Sequence, residues 1–245
     1  MNDKFVRSIK NNLENVKEKL IRTAINSGRN PDNVRLIVVT KSQPLEIVIA
    51  AIKAGATMLG ENYAEEGVDK IIALENESKV EWHMIGHVQS RKAELVANNF
   101  YLLHSLDSLK LAKRINRALD ESGKELPVLL EFNVSGEESK YGWQASDEKT
   151  WSQLLPELKQ IVDLDHLRVR GLMTMPPYYE DPELSRPFYS KLKRLRDYLA
   201  DKFPGTTWNE LSMGTSIDFE TAIEEGSTFI RVGQAILGKR FTKRG

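Results

Sequence analysis

Residues 34–42 read VRLIVVTKS. Their apolar run, from residue 36 to residue 39, is continuous and rich in β-branched residues, which is typical of a parallel strand covered on both faces. Pro44 suits the first turn of a following helix, where a missing N–H costs little. The pattern therefore predicts a buried strand that carries Lys41 into the loop at its end.

Two environments are open to Lys41. A lysine whose amine is partly desolvated has a lowered pKa and can condense with an aldehyde to form a Schiff base. A lysine at a strand end is also a common way to place a charge in solvent, and then it has no special chemistry. The residues elsewhere in the chain decide between the two.

Composition limits the classes of protein that fit. The chain has 245 residues, of which 40% are hydrophobic, and its 35 basic residues balance its 35 acidic ones. The absence of a basic excess argues against nucleic acid or anionic membranes as partners. No cysteine is present, which excludes disulfides and thiolate metal sites and fits a reducing compartment. No apolar run resembles a signal peptide or approaches the roughly 18 residues of a membrane span, so we expect a cytoplasmic protein.

The alternation of strands and helices predicts the fold. Apolar residues near the N-terminus recur at helical spacing, which predicts an added helix within residues 1–30. The helices predicted later in the chain include continuous ones over 147–161 and 183–203. The predicted strands are 34–39, 57–60, 82–85, 101–104, 128–134, 167–173, 208–211 and 228–232.

A single (β/α)8 TIM barrel spanning residues 1–245 accounts for this order, because about eight units and this length match such a domain. A doubly wound open sheet is the alternative, since periodicity alone cannot distinguish a closed sheet from an open one. No low-complexity linker divides the chain. We therefore favour one α/β barrel domain.

In a TIM barrel the loops after the seventh and eighth strands often hold phosphate. Residues 212–216 (SMGTS) follow the seventh predicted strand, and their hydroxyls, glycine and free amides suit a phosphate. The same residues could instead cap the next helix, and both readings are compatible. Arg231 ends the eighth strand, where it either pairs with a carboxylate such as Glu210 or points into the barrel mouth.

Other polar residues carry weaker signals. His83 and His87 have the spacing of metal ligands on a helix, but Gly86 interrupts the pattern, and we predict no metal site. The carboxylates that could form acid–base pairs are Glu61, Glu131 and Asp218, although their convergence cannot be read from sequence.

Seven short motifs distributed along the chain point to a family. They are 38–41 (VVTK), 60–63 (GENY), 83–90 (HMIGHVQS), 133–140 (NVSGEESK), 170–173 (RGLM), 211–216 (LSMGTS) and 231–233 (RVG). Together they resemble the pyridoxal phosphate homeostasis proteins. The resemblance implies the barrel of the N-terminal domain of alanine racemase, with pyridoxal 5′-phosphate bound as an imine to Lys41.

The resemblance also implies roles for further residues. Arg231 is expected to face the pyridine nitrogen, and Asn62 to form a wall near the ring. The expected phosphate cup consists of Ser212, Gly214, Thr215, Ser216 and Gly233. In this sequence Thr215 stands where relatives often have methionine, and Gln43 where many have a second lysine.

The implied function is handling of the cofactor rather than catalysis. Alanine racemase needs two bases, one of them from a separate domain, and this chain ends just after the predicted barrel. An arginine at the ring nitrogen would also oppose protonation of that nitrogen, which most pyridoxal enzymes need. We expect a monomeric, non-enzymatic protein that stores, buffers or delivers pyridoxal phosphate to apo pyridoxal-phosphate enzymes. The alternative is a weak amino-acid racemase or another pyridoxal-phosphate-dependent enzyme.

Lys140 suggests a route for delivery. It lies in the polar loop after the fifth predicted strand, which a barrel places on the same face as Lys41. A second amine there could take the aldehyde from Lys41 by transimination. The alternative is a solvated lysine beside Glu137 and Glu138.

Overall fold

The computed structural model describes residues 3–75, 80–120 and 122–238. Within them the chain forms nine β-strands, eight of which close into a barrel. The strands are β1 (Arg35–Val39), β2 (Met58–Glu61), β3 (Glu81–Met84), β4 (Leu102–Leu106), β5 (Leu126–Asn133), β6 (Trp143–Gln144), β7 (Leu167–Met173), β8 (Glu210–Ser212) and β9 (Phe229–Val232).

The sheet closes into a barrel because its first strand, β1, pairs with its last strand, β9. The order β1-β2-β3-β4-β5-β7-β8-β9 returns to β1, and every neighbouring pair is parallel. β1 pairs with β9 through Arg35 and Phe229, and β4 pairs with β5 through Leu103 and Val128. The predicted TIM barrel is therefore confirmed over the open sheet.

β6 is an addition that the sequence did not predict. It has two residues and pairs only with β5, through Phe132 and Trp143. A strand this short shows no alternation of apolar and polar residues, so its pattern gives no signal.

Helices cover the outside of the barrel. They are α1 (Asp3–Asn26), α2 (Leu45–Lys53), α3 (Ala64–Ala73), α4 (Ala93–Asn99), α5 (Leu109–Asp120), α6 (Leu155–Val162), α7 (Arg186–Lys202), α8 (Phe219–Glu224) and α9 (Gln234–Leu237). The added N-terminal helix is α1, which packs against α2, α8 and α9 through a buried stripe that includes Leu13, Val16 and Leu20. Residues 1 and 2 of the predicted helix and 239–245 of the predicted domain lie outside the described residues.

Two helices predicted as continuous are divided. A 3-10 helix (Glu148–Leu154) precedes α6, and another (Pro182–Ser185) precedes α7. Pro156 and Pro187 fall in the first turns of α6 and α7. A proline lacks the N–H that an α-helix interior uses, so each α-helix can begin at its proline but cannot run through it.

The apolar core has two layers. The larger cluster lies between the strands and the helices and includes Val38, Leu103 and Leu130. A smaller cluster fills the interior of the barrel, with one side chain from each of five strands: Ile37, Leu102, Leu129, Met173 and Phe229. Because adjacent strand residues point to opposite faces, Ile37 and Val38 belong to different layers.

Candidate functional site

One cavity collects most of the predicted site residues. It has a volume of about 870 Å³ and opens at the carboxyl ends of the barrel strands. The predicted residues that line it are Lys41, Asn62, Thr215, Ser216, Arg231 and Gly233. Ser212 and Gly214 are not among its lining residues.

The Lys41 loop has a fixed backbone. Thr40 is buried and its N–H donates to the Gly60 carbonyl oxygen at 3.0 Å. Ser42 adopts a left-handed conformation with φ of 58°, which is uncommon for a residue other than glycine. The Ser42 N–H donates to Glu66 Oε1 at 2.7 Å. Lys41 is partly buried and lines the cavity. The residues before and after it, Thr40 and Ser42, are both held by hydrogen bonds.

The buried ammonium group of Lys70 stabilises this turn. Lys70 Nζ, in α3, donates to the Thr40 carbonyl oxygen (2.8 Å), Glu61 Oε1 (2.8 Å) and Glu66 Oε1 (2.6 Å). The Thr40 hydroxyl also donates to Glu61 Oε1, at 2.6 Å. Burial raises the pKa of Glu61, and the Lys70 cation opposes that rise. This cluster is not among the sequence-based predictions, although Glu66 and Lys70 have the i, i+4 spacing of a helical ion pair.

The loop after β8 is organised by Asp218. Asp218 Oδ1 accepts from the Thr215 N–H (2.7 Å) and hydroxyl (3.0 Å), while its Oδ2 accepts from the hydroxyls of Tyr189 (2.6 Å) and Ser185 (3.1 Å). Both donors of Thr215 are thus engaged within the protein. The next helix, α8, begins only at Phe219, because these bonds hold the preceding residues in a turn.

Ser216 connects the loops after β8 and β9. Its Oγ accepts from the amides of Gly233 (3.3 Å) and Ala235 (3.4 Å). Both bonds are longer than the usual range, so these amides are only weakly engaged. The hydroxyl proton of Ser216 and two backbone amides therefore gather at one end of the cavity.

Gly214 has a packing role. Its φ of +95° suits glycine, and a Cβ at this position would stand 2.6 Å from the Ala222 Cβ. A side chain here would push the loop away from α8. Gly214 thus lets the loop approach the helix closely.

Arg231 points into the barrel mouth, and the predicted alternative of an ion pair with Glu210 is wrong. Glu210 is bound by Arg35 instead. Arg231 is buried and donates to Ser212 Oγ, to the Thr174 carbonyl oxygen (3.0 Å) and to Met175 Sδ (2.9 Å). Burial lowers the pKa of Arg231.

A chain of polar groups continues from Arg231 through the barrel interior. Ser212 Oγ lies 2.8 Å from His104 Nδ1, and His104 Nε2 lies 3.0 Å from His83 Nδ1. Burial lowers the pKa of both histidines, so both are neutral. Because a guanidinium only donates, Ser212 Oγ accepts from Arg231. The Ser212 hydroxyl proton can then donate to His104 Nδ1, and the Nε2–H of neutral His104 can donate to His83 Nδ1.

Two polar side chains on the β5 side complete the cavity. Glu131 lies in β5 and Lys140 in the following loop. Burial raises the pKa of Glu131 to about 7, and the carboxylate of Asp107 contributes to the rise. Lys140 Nζ lies 3.5 Å from the Pro176 carbonyl oxygen and 3.9 Å from Glu137 Oε2.

His83 and His87, which are four residues apart in the sequence, have different partners. His87 contacts Asp107 at 2.7 Å and stacks on Tyr141, while His83 contacts His104. Within residues 3–75, 80–120 and 122–238, no group of three or more acidic or histidine side chains is placed to hold a metal ion. No helix in that part of the chain has both the length and the apolar character needed to cross a membrane.

Comparison with known proteins agrees with the fold. The family described as alanine racemase, N-terminal domain, matches residues 7–240. The pyridoxal phosphate homeostasis protein of Vibrio alginolyticus is 38% identical over 236 residues, covering 95% of this chain and 98% of its own. That of Escherichia coli (strain K12) is 38% identical over 245 residues, with 96% and 98% covered.

Solved structures give the same result. PipY of Synechococcus elongatus PCC7942, with pyridoxal phosphate bound, superposes with a TM-score of 0.80 at 30% identity, over 94% of this chain and all of that one. Alanine racemase of Clostridium difficile 630 superposes with a TM-score of 0.69 at 15% identity, over 97% of this chain and 58% of the racemase, and shares the fold. On the match to the family and the similarity to curated relatives over nearly their full length, the chain belongs to the pyridoxal phosphate homeostasis proteins, within the alanine racemase N-terminal domain family.

Proposed function

We propose that this chain binds pyridoxal 5′-phosphate as a Schiff base on Lys41 and stores, buffers or delivers it without acting as an enzyme. The observation that carries the proposal is the meeting of three kinds of group in one cavity: the amine of Lys41, the donors around Ser216 and the guanidinium of Arg231. PipY, a relative at 30% identity, holds pyridoxal phosphate in its solved structure. The homologues are named as homeostasis proteins rather than as enzymes.

The phosphate fits the end of the cavity formed by the loops after β8 and β9. The Ser216 hydroxyl and the amides of Gly233 and Ala235 are available to an anion, because the long bonds from these amides to Ser216 Oγ cost little to exchange for charge-assisted ones. Thr215 holds the loop through Asp218 rather than offering a free donor. Direct phosphate contacts from Ser212, Gly214 and Thr215 stay a prediction.

Arg231 favours binding over catalysis. Its guanidinium lines the cavity and can only donate hydrogen bonds, so a ring nitrogen facing it accepts a bond and stays unprotonated. An unprotonated pyridine withdraws electrons poorly, and bound pyridoxal phosphate supplies carbanion chemistry only as an electron sink. The bonds from Arg231 to Ser212, Thr174 and Met175 hold the guanidinium in place.

The test is an absorption spectrum of the purified protein with pyridoxal phosphate, before and after reduction with borohydride, followed by peptide mapping. We expect a Schiff-base band in the wild type, a reduced label on Lys41, and loss of both in Lys41→Ala. Lys140→Ala is the matched control, since it removes another lysine of the same cavity and should keep the label on Lys41. A label on a different lysine, with Lys41 unmodified, would refute the assignment.

The rival function is that of a weak racemase, which needs a second acid–base group. Tyr141 lines the cavity, but its ring is stacked on His87 at 3.9 Å between centroids. Incubation of the loaded protein with L-alanine in D₂O separates the two functions. We expect no deuterium at the alanine Cα, whereas steady incorporation would favour the racemase.

The expected partners are apo pyridoxal-phosphate enzymes, and the expected assembly is a monomer. Delivery is tested by mixing loaded protein with an apo enzyme and measuring the recovery of that enzyme's activity. Light scattering after gel filtration gives the mass, for which one chain of 27.9 kDa is expected.

A further inference from the structure

Glu131 has a carboxyl oxygen that the protein leaves without a partner. The residue is only 7% exposed, and its Oε2 makes no hydrogen bond although it is buried. The other buried side-chain atoms without a partner in the described part of the chain belong to Gln43, Glu61 and His83, none of which lines the cavity. A buried, unsatisfied carboxyl oxygen is costly, and a ligand in the cavity would relieve that cost.

Pyridoxal 5′-phosphate has four polar groups, and three of them have partners in the proposed function. The aldehyde goes to Lys41, the phosphate to the loops after β8 and β9, and the ring nitrogen to Arg231. The ring hydroxyl has no assigned partner. β5 is four strands from β1 in either direction around the barrel, so Glu131 stands across the cavity from the strand that carries Lys41. The hydroxyl and the phosphate arm are on opposite sides of the aldehyde-bearing ring carbon, so a ligand whose phosphate lies at the loops after β8 and β9 turns its hydroxyl away from them, toward the rest of the cavity that Glu131 lines. The unassigned group of the ligand is thus matched to the unsatisfied group of the cavity.

Resting on the function proposed above, we propose that the Glu131 carboxyl binds the ring hydroxyl of pyridoxal 5′-phosphate and shares one proton with it. With one proton between them, one oxygen donates to the other in a charge-assisted hydrogen bond. Without that proton two anions would face each other in a buried site, which is strongly unfavourable. Glu131 is then a specificity-determining contact for the hydroxylated ring.

The charges around Glu131 allow it to keep this proton near neutral pH. Burial and the Asp107 carboxylate, in the loop after β4, raise its pKa to about 7. Arg231 in β9 and Lys140 in the loop after β5 act in the opposite direction. Lys41 lines the same cavity. Below about pH 7 the free protein already carries the proton, and above it the proton must be taken up when the ligand binds.

The sign of the pH dependence follows from this uptake. Above pH 7 the dissociation constant should rise by up to about tenfold per pH unit relative to a protein that has no titrating group at this position. Glu131→Gln is such a protein, because its amide donates a hydrogen bond at every pH. Glu131→Leu has no donor and should bind pyridoxal phosphate more weakly than Glu131→Gln throughout.

The experiment measures the dissociation constant of pyridoxal phosphate for the wild type and both variants between pH 6 and pH 9. At each pH the dissociation constant of the wild type is divided by that of Glu131→Gln. The titrations of Lys41 and of the phosphate are common to both proteins, so they cancel in this ratio. We expect this ratio to be level below pH 7 and to rise above it. A ratio that is level across the whole range would overturn the proposal.

A ligand analogue makes the same test in the wild-type protein, which avoids any effect of the variants on folding. For 3-deoxypyridoxal 5′-phosphate, which lacks the ring hydroxyl, the proton uptake assigned to Glu131 should disappear. An equal pH dependence for the two aldehydes would overturn the proposal. Borohydride labelling separates the failures: a label on Lys41 with a level ratio removes this inference alone, whereas no label on Lys41 removes the proposed function as well.

Discussion

Two buried glutamates at the mouth of the barrel, Glu61 and Glu131, show how a residue that supports the structure differs from one that can bind a ligand. Glu61 ends β2, and its Oε1 accepts from Lys70 and Thr40 within 2.8 Å. Glu131, in β5, lines the cavity, which Glu61 does not, and Oε2 of each carboxyl is buried without a hydrogen-bond partner. Burial raises the pKa of both carboxyls. The residue type and the burial are alike, so the difference lies in whether the protein itself supplies the compensating cation.

This comparison has an energetic meaning. A buried charge that is paired by the protein stabilises a local structure only as long as its partner stays. A buried polar group that lacks a protein partner costs stability until a ligand binds. Substitutions around Glu61 should therefore affect mainly folding, and substitutions around the cavity mainly binding.

The largest effect is expected from Lys70→Met. It removes the cation from between Glu61 and Glu66 and leaves two carboxylates facing each other, one of them, Glu61, fully buried. Loss of one partner of a buried ion pair typically costs about 3–5 kcal/mol in the free energy of unfolding, which urea denaturation measures. Lys53→Met, at an exposed position in α2, is the control and should change stability by less than about 1 kcal/mol. Equal stabilities of the two variants would contradict the role of the cluster.

The next largest effect concerns the phosphate end of the cavity. Pyridoxal lacks the phosphate, so it cannot use the donors around Ser216 and Gly233. At roughly 1.5–3 kcal/mol for each charge-assisted hydrogen bond, loss of two such bonds should weaken binding by about 3 kcal/mol or more. Titration of the wild-type protein with each aldehyde measures the difference. Superimposable titration curves would rule out a phosphate site here.

Glu131→Gln should stabilise the protein in the absence of ligand. The Glu131 carboxyl ionises near pH 4.5 when unfolded and near 7 when folded, so the folded state binds more protons between these values. The free energy of unfolding therefore falls as pH rises from 4.5 to 7, by about 3 kcal/mol at roughly 1.4 kcal/mol per pH unit. Glu131→Gln does not titrate and so does not have this loss. The free energy of unfolding of the variant minus that of the wild type should therefore be larger at pH 8 than at pH 4, by up to about 3 kcal/mol. A constant difference between the two proteins at both pH values would show that Glu131 is not destabilising.

The strand order was the part of the fold that the sequence predicted best. β7 begins and ends at the predicted residues, because its apolar run is long and bounded by polar loops. Closure depends on contacts between residues far apart in the chain, such as Leu103 with Val128, and periodicity contains no such information. The divided helices before α6 and α7 could have been predicted, since the prolines that divide them are visible in the sequence.

The site was predicted less completely, for a related reason. The motifs pointed to Lys41 and to the glycine-rich loops, and the cavity brings most of those residues together. Lys70 was missed because a charged residue in a helix usually faces solvent, and only the packing of α3 against the turn at Thr40 buries it. For Arg231 the sequence allowed either an ion pair with Glu210 or a position in the barrel mouth. The choice depends on Arg35, from the neighbouring strand, which binds Glu210. The sequence identifies which groups a residue carries, but its hydrogen-bond and ion-pair partners depend on the tertiary structure.

Lys140 extends the comparison to a residue on the rim, where we expect the smallest effect. Lys140 lines the same cavity as Lys41, and among the described residues its amine has weak contacts at 3.5 Å and 3.9 Å, so it can move toward the ligand. An amine in this place can take over the aldehyde from Lys41 by exchange of one imine for another, which avoids slow hydrolysis. We therefore expect loaded Lys140→Ala to reactivate an apo pyridoxal-phosphate enzyme a few-fold more slowly than the wild type, at equal affinity. Lys92→Ala is the matched control, because Lys92 lines the cavity but is paired with Glu65, and its transfer rate should equal that of the wild type. If Lys140→Ala and Lys92→Ala transfer at the same rate, Lys140 is a solvated lysine with no part in delivery.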